Sequence, residues 1–403
     1  MNQEPKVFER VIGLDAHPDT FTAALVRGPT PAAAVHEKTF NRVPLDHLSQ
    51  WAEKQTTPKD LFVLEASGNS FQIVRTLNAI ERTAYVLESR QMGQLKEAHA
   101  NNDRLSALRI AKAYLAGTAK QVWVPDLKTQ ERRDIFHIHR KAVKRTGQVR
   151  ARLLSYLSDN GVRWKGGPLA EEKLRPLKAW TPVQWDIIST LLLEKQDAET
   201  SRQRWRSIIA REVLSDPLLL SITRLCGVRD VIAFALGALI GDIHRFANAK
   251  KLVKYVGLNP AYDHSGEEEW NGGVRGHGRR DLRSLLIEAA HSILRSRQPV
   301  ARWGKRLLAR KSCRNLTVCA VARKLVVAVW YLMMGQWTPL EELDAPLQSK
   351  MGKIIRELLP HSRASMAENL QTLREQVYER MKSGRVYTLD PAKTFTAQPR
   401  VRA

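Results

Sequence analysis

"VIGLDAHPDTFTAAL" runs from Val11 to Leu25, and its reading decides the architecture of the amino-terminal region. "VIGLDAH" and the following "FTAALVR" are short apolar or alternating runs held at hairpin separation, the pattern of two paired strands. "DLFVLEA" (Asp60–Ala66) and "TAYVLES" (Thr83–Ser89) repeat the buried-strand signature, with helical pieces between them. "NDRLSALRIAKAYLAG" then reads as a helix, because Leu105, Leu108, Ile110 and Leu115 keep near-helical spacing and Gly117 supplies a stop. "KQVWVP" closes the segment as a last strand. The expectation is an α/β domain over residues 7–126.

Beyond Pro125 the character changes. From Thr129 to Ser158, residues Ile135, Ile138, Ala142, Val149, Leu153 and Tyr156 keep a three-and-four rhythm among many Lys and Arg, which predicts a long amphipathic, coiled-coil-like helix. "GVRWKGGPL" breaks it. Thr181-Pro182 gives an N-cap and a first-turn proline for a second long helix toward Leu214. Residues 127–215 therefore form a helical arm. A helical domain follows over 216–340: "SITRLCGVRDVIAFALGALIGD" reads as helix, glycine-containing hairpin and helix, and a short helix runs from near Asn248 to Gly257. Residues 341–403 form a C-terminal extension to which no function is assigned.

Composition narrows the partners. Lys plus Arg total 65 against 41 Asp plus Glu, a net charge of +24, which favours polyanions, nucleic acid before acidic membrane. The apolar run "LVVAVWYLMM" (Leu325–Met334) is too short for a bilayer and reads as a buried helix. "MNQEPKVFER" has no apolar signal core, and Cys226, Cys313 and Cys319 lack paired metal spacing, so a reduced cytoplasm is expected. His137 and His139 stand two apart on a helix and do not share a face as zinc ligands would. No G-x-S-x-G or P-loop pattern occurs, against a serine hydrolase or an NTPase.

Three acids stand at the ends of predicted elements: Asp15 ends the first strand, Glu65 the third, and Asp103 opens the helix after the fourth. Carboxylates gathered on one sheet supply the hard oxygens that Mg²⁺ prefers, and such ions assist phosphodiester chemistry. Turn and cap duty is the plainer role for any one of them.

"VIGLDAHPDTFTAAL", "LEASGNS" and "NNDRLSALRIAKAYL" together resemble the amino-terminal motifs of the DEDD transposases of the insertion-sequence 110 and 1111 family, related to the Piv DNA invertase. The stretch from "SITRLCGVRDVIA" through "RFANAKKLVKYVGLNPAYDHSG" to "GHGRRDLRSLLIEAA" is similar to that family's carboxy-terminal transposase domain. The resemblance covers roughly Val7 to Ile293. It implies a ribonuclease-H-like, RuvC-type first domain, a helical arm and a helical transposase domain. It implies that Asp15, Glu65 and Asp103 are the first three acids of the catalytic tetrad and bind Mg²⁺, with Mn²⁺ as substitute. The fourth acid belongs three residues after Asp103, where this chain has Ser106, a poorer ligand.

By the same resemblance Ser265 is the nucleophile, forming a serine–phosphate link that conserves bond energy for rejoining. Arg275, Arg279 and Arg280 would add charge-assisted bonds to phosphate beside a glycine-rich turn, and Gly227 marks a hairpin that holds DNA backbone. Where relatives carry a second glycine in that hairpin, this chain has Arg229. Trp270 offers a ring for base stacking or for ordinary packing. The implied activity is RNA-guided DNA transposition, with donor and target DNA, a structured non-coding bridge RNA, a homodimer or tetramer, no membrane, and a prokaryotic, nucleoid-associated location. Two alternatives stay open: a catalytically weakened nucleic-acid-binding relative, and a metal-only RuvC-like junction nuclease.

Overall fold

The computed structural model describes residues 8–89, 103–265, 268–274, 277–335, 344–367, 371–372 and 375. The side chains of 103–104, 261–274, 344–348 and 365–367 lie outside that set. The chain divides into two compact units, Met1–Asp126 and Leu127–Ala403.

The first unit is mixed α/β. Its strands are β1 (Arg10–Ala16), β2 (Thr20–Arg27), β3 (Val35–Pro44), β4 (Asp60–Glu65), β5 (Thr83–Leu87) and β6 (Gln121–Val122). They lie in the order β3-β2-β1-β4-β5-β6. β1, β2 and β3 pair antiparallel in succession, while β1, β4 and β5 pair parallel. Alternation sends Ile12, Leu14, Phe62 and Leu64 to one face, where they meet α1 (Leu48–Gln55) and α2 (Ser70–Ala79) through Trp51, Ile73 and Leu77. Val11, Leu61 and Val63 point the other way, onto Ile110 and Ala111 of α3 (Asp103–Leu115). Trp51 stands edge-on to Phe21 and Phe40, with ring centroids 5.1 and 5.2 Å away, and so ties β3 to the core through one side chain. At the start of β1 and β4, Arg10 grips the buried Asp60 with bonds of 3.0 and 2.6 Å.

Among its described residues the second unit is helical apart from one hairpin. α4 (Leu127–Asp159) and α6 (Pro182–Ser215), joined through the short α5 (Glu171–Leu174), run antiparallel. Arg132 meets Asp216, Arg145 meets Asp197 and Arg152 meets Glu194, so each step forward on one helix is a step back on the other. The Thr181 hydroxyl accepts from the Gln184 amide, and Gln184 returns the bond to the Thr181 amide, a complete capping box with Pro182 in the first turn. Leu153, Leu157, Leu169, Leu174 and Ile188 fill the end of this pair farthest from the main core.

The main core gathers α7 (Pro217–Ile222), α8 (Asp230–Ile240), α9 (Ala249–Val256), α10 (Arg280–Leu294), α11 (Pro299–Lys311) and α12 (Arg314–Met333). α12 has the length and composition to cross a membrane. Val318, Val321, Leu325, Val329 and Leu332 are nonetheless buried against α9, α10 and α11, so it serves as a core helix. The hairpin, β7 (Pro260–Ser265) and β8 (Glu268–Val274), was not foreseen from the sequence. α13 (Asp344–Ile355) and α14 (Pro360–Ala367) follow α12 in the chain.

Candidate catalytic residues

β1 and β4 are paired in register up to Leu14 against Leu64, so Asp15 and Glu65 are the next step on two neighbouring parallel strands. Adjacent strands lie about 4.8 Å apart and matched positions face the same side, so both half-buried carboxylates belong to the face covered by α3. That face is closed by backbone. A β-carbon built on Gly13 would stand 1.9 Å from the carbonyl oxygen of Ala107 and 3.0 Å from the amide of Ala111, an approach only glycine permits. Gly13 thus faces the backbone of α3 at the turn between Ala107 and Ala111. One turn beyond Ala107 stands Asp103, the first residue of α3. Ser106 lies half-buried on the same helix.

The loops leaving the two strands are tied to each other. Asn69 donates to the carbonyl of His17 at 2.9 Å and accepts from the Ser67 hydroxyl at 3.0 Å. Ser89 donates to the carbonyl of Ala66 at 2.6 Å. These bonds fix the segments that follow Asp15 and Glu65. Among the described residues no group of three or more His, Cys, Asp or Glu is placed to hold a metal ion. The Asp103 side chain is outside those residues, so the described acids at the strand ends are a carboxylate pair.

Ser265 ends β7 in the second unit, paired with Glu268 across the hairpin. Arg275 lies outside the described residues. The base of the hairpin is anchored by close backbone contact. Gly257 ends α9 with φ +79, and a β-carbon there would meet the His277 carbonyl oxygen at 1.9 Å; Gly278, φ +113, approaches the Tyr255 carbonyl to 2.5 Å by the same measure. The Arg279 amide completes the join by donating to Tyr255 at 2.9 Å. Gly278 thus has a packing duty.

Arg279 is engaged. Its Nε and Nη2 donate to the Asp281 carboxylate at 3.1 and 2.7 Å. Burial works against its charge, yet Asp281 and Tyr255 hold the guanidinium above its ordinary range. Burial likewise opposes ionisation of Asp281, and Arg279 overcomes it, so that carboxyl sits below the usual range. Arg280, in the first turn of α10, is exposed.

Gly227 turns the chain between α7 and α8 with φ +76, and a side chain there would strike the Ala289 carbonyl at 2.6 Å. Arg229 pairs with Glu357 at 3.2 Å. Lys350 of α13 donates to the carbonyls of Thr223, Leu225 and Val228, wrapping the turn, and burial pulls its amine down to about 8. Lys350 and Glu357 carried no signal in the sequence, because their partners lie more than a hundred residues away.

Comparison with known proteins bears on the same elements. Residues 219–303, from α7 into α11, match the model of the Transposase IS116/IS110/IS902 family. The chain is 23% identical over 286 residues to the transposase for insertion sequence element IS1111A of Coxiella burnetii, covering 68% of this chain and 78% of that protein. It is 23% identical over 266 residues to the putative transposase y4qE of Sinorhizobium fredii, covering 64% and 65%. A probable family 20 transposase of Pseudomonas aeruginosa is 22% identical over 293 residues, covering 68% and 84%. These matches support DNA strand transfer as the enzymatic class of the chain. Within that class, the chain is similar to the Transposase IS116/IS110/IS902 family over residues 219–303 and to the IS1111A transposase.

Proposed function

We propose that the chain is an RNA-guided DNA transposase whose chemistry is divided between its two units. The observation that carries this reading is the carboxylate pair Asp15 and Glu65 on adjacent parallel strands beneath the helix that Asp103 opens. The strand order β3-β2-β1-β4-β5, with β2 antiparallel to its neighbours, supports a ribonuclease-H-like first domain. Asp15, Glu65 and Asp103 would hold Mg²⁺, or Mn²⁺ in its place; hard oxygen donors suit either ion, which when bound would neutralise charge on a transferring phosphate.

Ser265 is the proposed attacking group. Its Oγ forms a bond to phosphorus as one strand's P–O bond breaks; the serine proton passes to the departing oxygen, which leaves as a free hydroxyl end. Reversal with a different strand end rejoins the DNA without ATP. Guidance by a structured non-coding RNA, donor and target DNA as substrates, and assembly as a homodimer or tetramer rest on the family resemblance, with the +24 charge favouring polyanionic partners. The test is a denaturation-resistant protein–DNA adduct, formed with RNA and matching DNA. The expected result is adduct in the wild type and none in Ser265→Ala; adduct in that variant removes Ser265 from the mechanism.

A second reading is favoured by specific observations: Ser106 stands where an acid is expected, and Arg279 is committed to Asp281. A catalytically weakened nucleic-acid-binding relative would bind with strong salt dependence and show no strand exchange in Mg²⁺ or Mn²⁺. A metal-only junction nuclease would cleave, tolerate Ser265→Ala and fail with Asp15→Asn.

A further inference from the structure

The helix α6 carries a polar stripe on one face. Gln196, Thr200, Gln203, Ser207 and Arg211 follow one another at intervals of four, three, four and four along that face, with Arg204 beside Gln203. They form one wall of a groove of about 770 Å³, closed on the other side by Leu359, His361 and Ser362 at the start of α14.

The charges in this groove are unbalanced. Several arginines of the unit are matched: Arg132 with Asp216, Arg206 with Asp230 and Glu357, Arg279 with Asp281. Arg202, Arg204 and Arg211 line the groove and make no hydrogen bond or ion pair with any described residue, and Arg204 and Arg211 are exposed. The carboxylate on the wall, Glu199, is paired with Lys195 at 3.1 Å. The segment opposite is held rigidly: the Leu359 amide donates to the Ser207 hydroxyl at 2.9 Å, and Gln203 donates to the Glu357 carbonyl at 3.3 Å. Among the described residues the groove is therefore a trough with three guanidinium donors and a single carboxylate, Glu199, that is already paired.

We infer that this groove, whose lining includes none of the proposed catalytic residues, binds the phosphodiester backbone of a nucleic-acid strand. Guanidinium forks are suited to phosphate oxygens, and the amides of Gln196 and Gln203 add neutral donors that suit sugar and phosphate without reading sequence. Arg204 and Arg211 are two helical turns apart, about 10 Å, so they address different phosphates of one strand. The inference deepens the proposed function and rests on it for the class of partner.

The test is fluorescence anisotropy of the full chain with a labelled single-stranded RNA, a single-stranded DNA and a duplex DNA, each from 50 to 200 mM salt. Arg204→Ala/Arg211→Ala removes two contacts, so the log–log salt slope should become shallower by about 1.4 for a single strand or 1.8 for duplex. Over that fourfold salt range the variant should lose roughly tenfold less affinity than the wild type. Arg204→Lys/Arg211→Lys keeps the charge and should restore the slope, which a folding defect would not. The probe whose slope changes identifies the strand that lies in the groove. An unchanged slope with all three probes, in a wild type that does bind, overturns the groove alone. A wild type that binds none of them overturns both the groove and the proposed function. Asp15→Asn, by contrast, should abolish strand transfer and leave every slope as it was.

Discussion

Gly13→Ala probes the link between fold and chemistry most directly. The added carbon would sit 1.9 Å from the Ala107 carbonyl oxygen, where carbon and oxygen normally keep about 3.3 Å. The clash is with backbone, so no rotamer change relieves it and Ala107→Gly cannot rescue it; α3 must retreat by about 1.4 Å. Overfilling of this kind costs ~1–3 kcal/mol. The same retreat carries Asp103 away from Asp15 and Glu65, and a misplacement of ~1 Å in a reacting assembly is worth about a hundredfold in rate. Gly68→Ala is the control, because no atom lies within 4 Å of its new carbon, in a loop beside the same carboxylates. Thermal unfolding and adduct formation should both fall for Gly13→Ala, the latter about a hundredfold, and both should hold for Gly68→Ala. Wild-type rate and stability in Gly13→Ala would refute the close helix–strand approach on which the placement of Asp103 depends.

Ser106→Asp should keep or raise strand cleavage in Mg²⁺; a sharp loss in a cleavage time course would show that position 106 is no vacant ligand position. His139 is buried, and desolvation, reinforced by Arg206 and Arg202 against the opposing charge of Asp230, lowers its pKa to about 4. A folded value below the unfolded one means that the unfolded chain binds the extra proton, so this contribution is complete above about pH 6.5 and is lost as pH falls toward 4, on the order of 3 kcal/mol. His139→Gln should flatten the urea midpoint between those pH values, while an unchanged slope would contradict the buried neutral imidazole. Gly147 sits exposed inside α4 with open space around it, so Gly147→Ala should stabilise the second unit by about 0.5–1 kcal/mol in urea melts.

The sequence made legible what local chemistry specifies. β1 and β4 are continuous apolar runs, and α9 lies between an Asn248 side-chain cap and a left-handed Gly257, as its residue types demand. The Thr181 N-cap with its first-turn proline and the stop at Gly117 were equally plain. β3 was not, because nearly all of it is exposed and its single anchoring ring, Phe40, leaves no periodic trace. The β7–β8 hairpin was hidden because "PAYDHSGEEEWNGGV" is mostly polar and carries no apolar alternation to mark a buried face. Asp15 and Glu65 were visible as strand ends; that they are neighbours follows only from the parallel pairing of β1 with β4, fifty residues apart. The one sequence hint of the closeness of α3 was the glycine inside β1, a residue that weakens a strand unless something must approach it. Arg279 looked free because its partner, Asp281, is two residues on, a spacing at which side chains on one helix do not meet.

The two proposed halves of the chemistry differ in how firmly the protein itself holds them. Asp15 and Glu65 are placed by sheet register and by bonded loops, so their separation is a property of the folded first unit alone. Ser265 stands near the tip of a two-stranded hairpin, a structure of marginal stability in isolation, and the described anchors lie at its base, where Gly257 and Gly278 meet backbone. Precision at the serine must then be completed by whatever the hairpin docks against during reaction. Loosening its base should therefore slow chemistry and spare binding. Gly278→Ala, which forces a carbon to 2.5 Å from the Tyr255 carbonyl at a φ of +113, should reduce adduct formation while leaving nucleic-acid affinity and its salt slope intact. The groove variants should do the reverse, weakening binding while sparing the single-turnover rate at saturating nucleic acid. If both classes of variant moved the same quantity, binding and attack would not be separable, and the division of labour between groove and hairpin would be wrong.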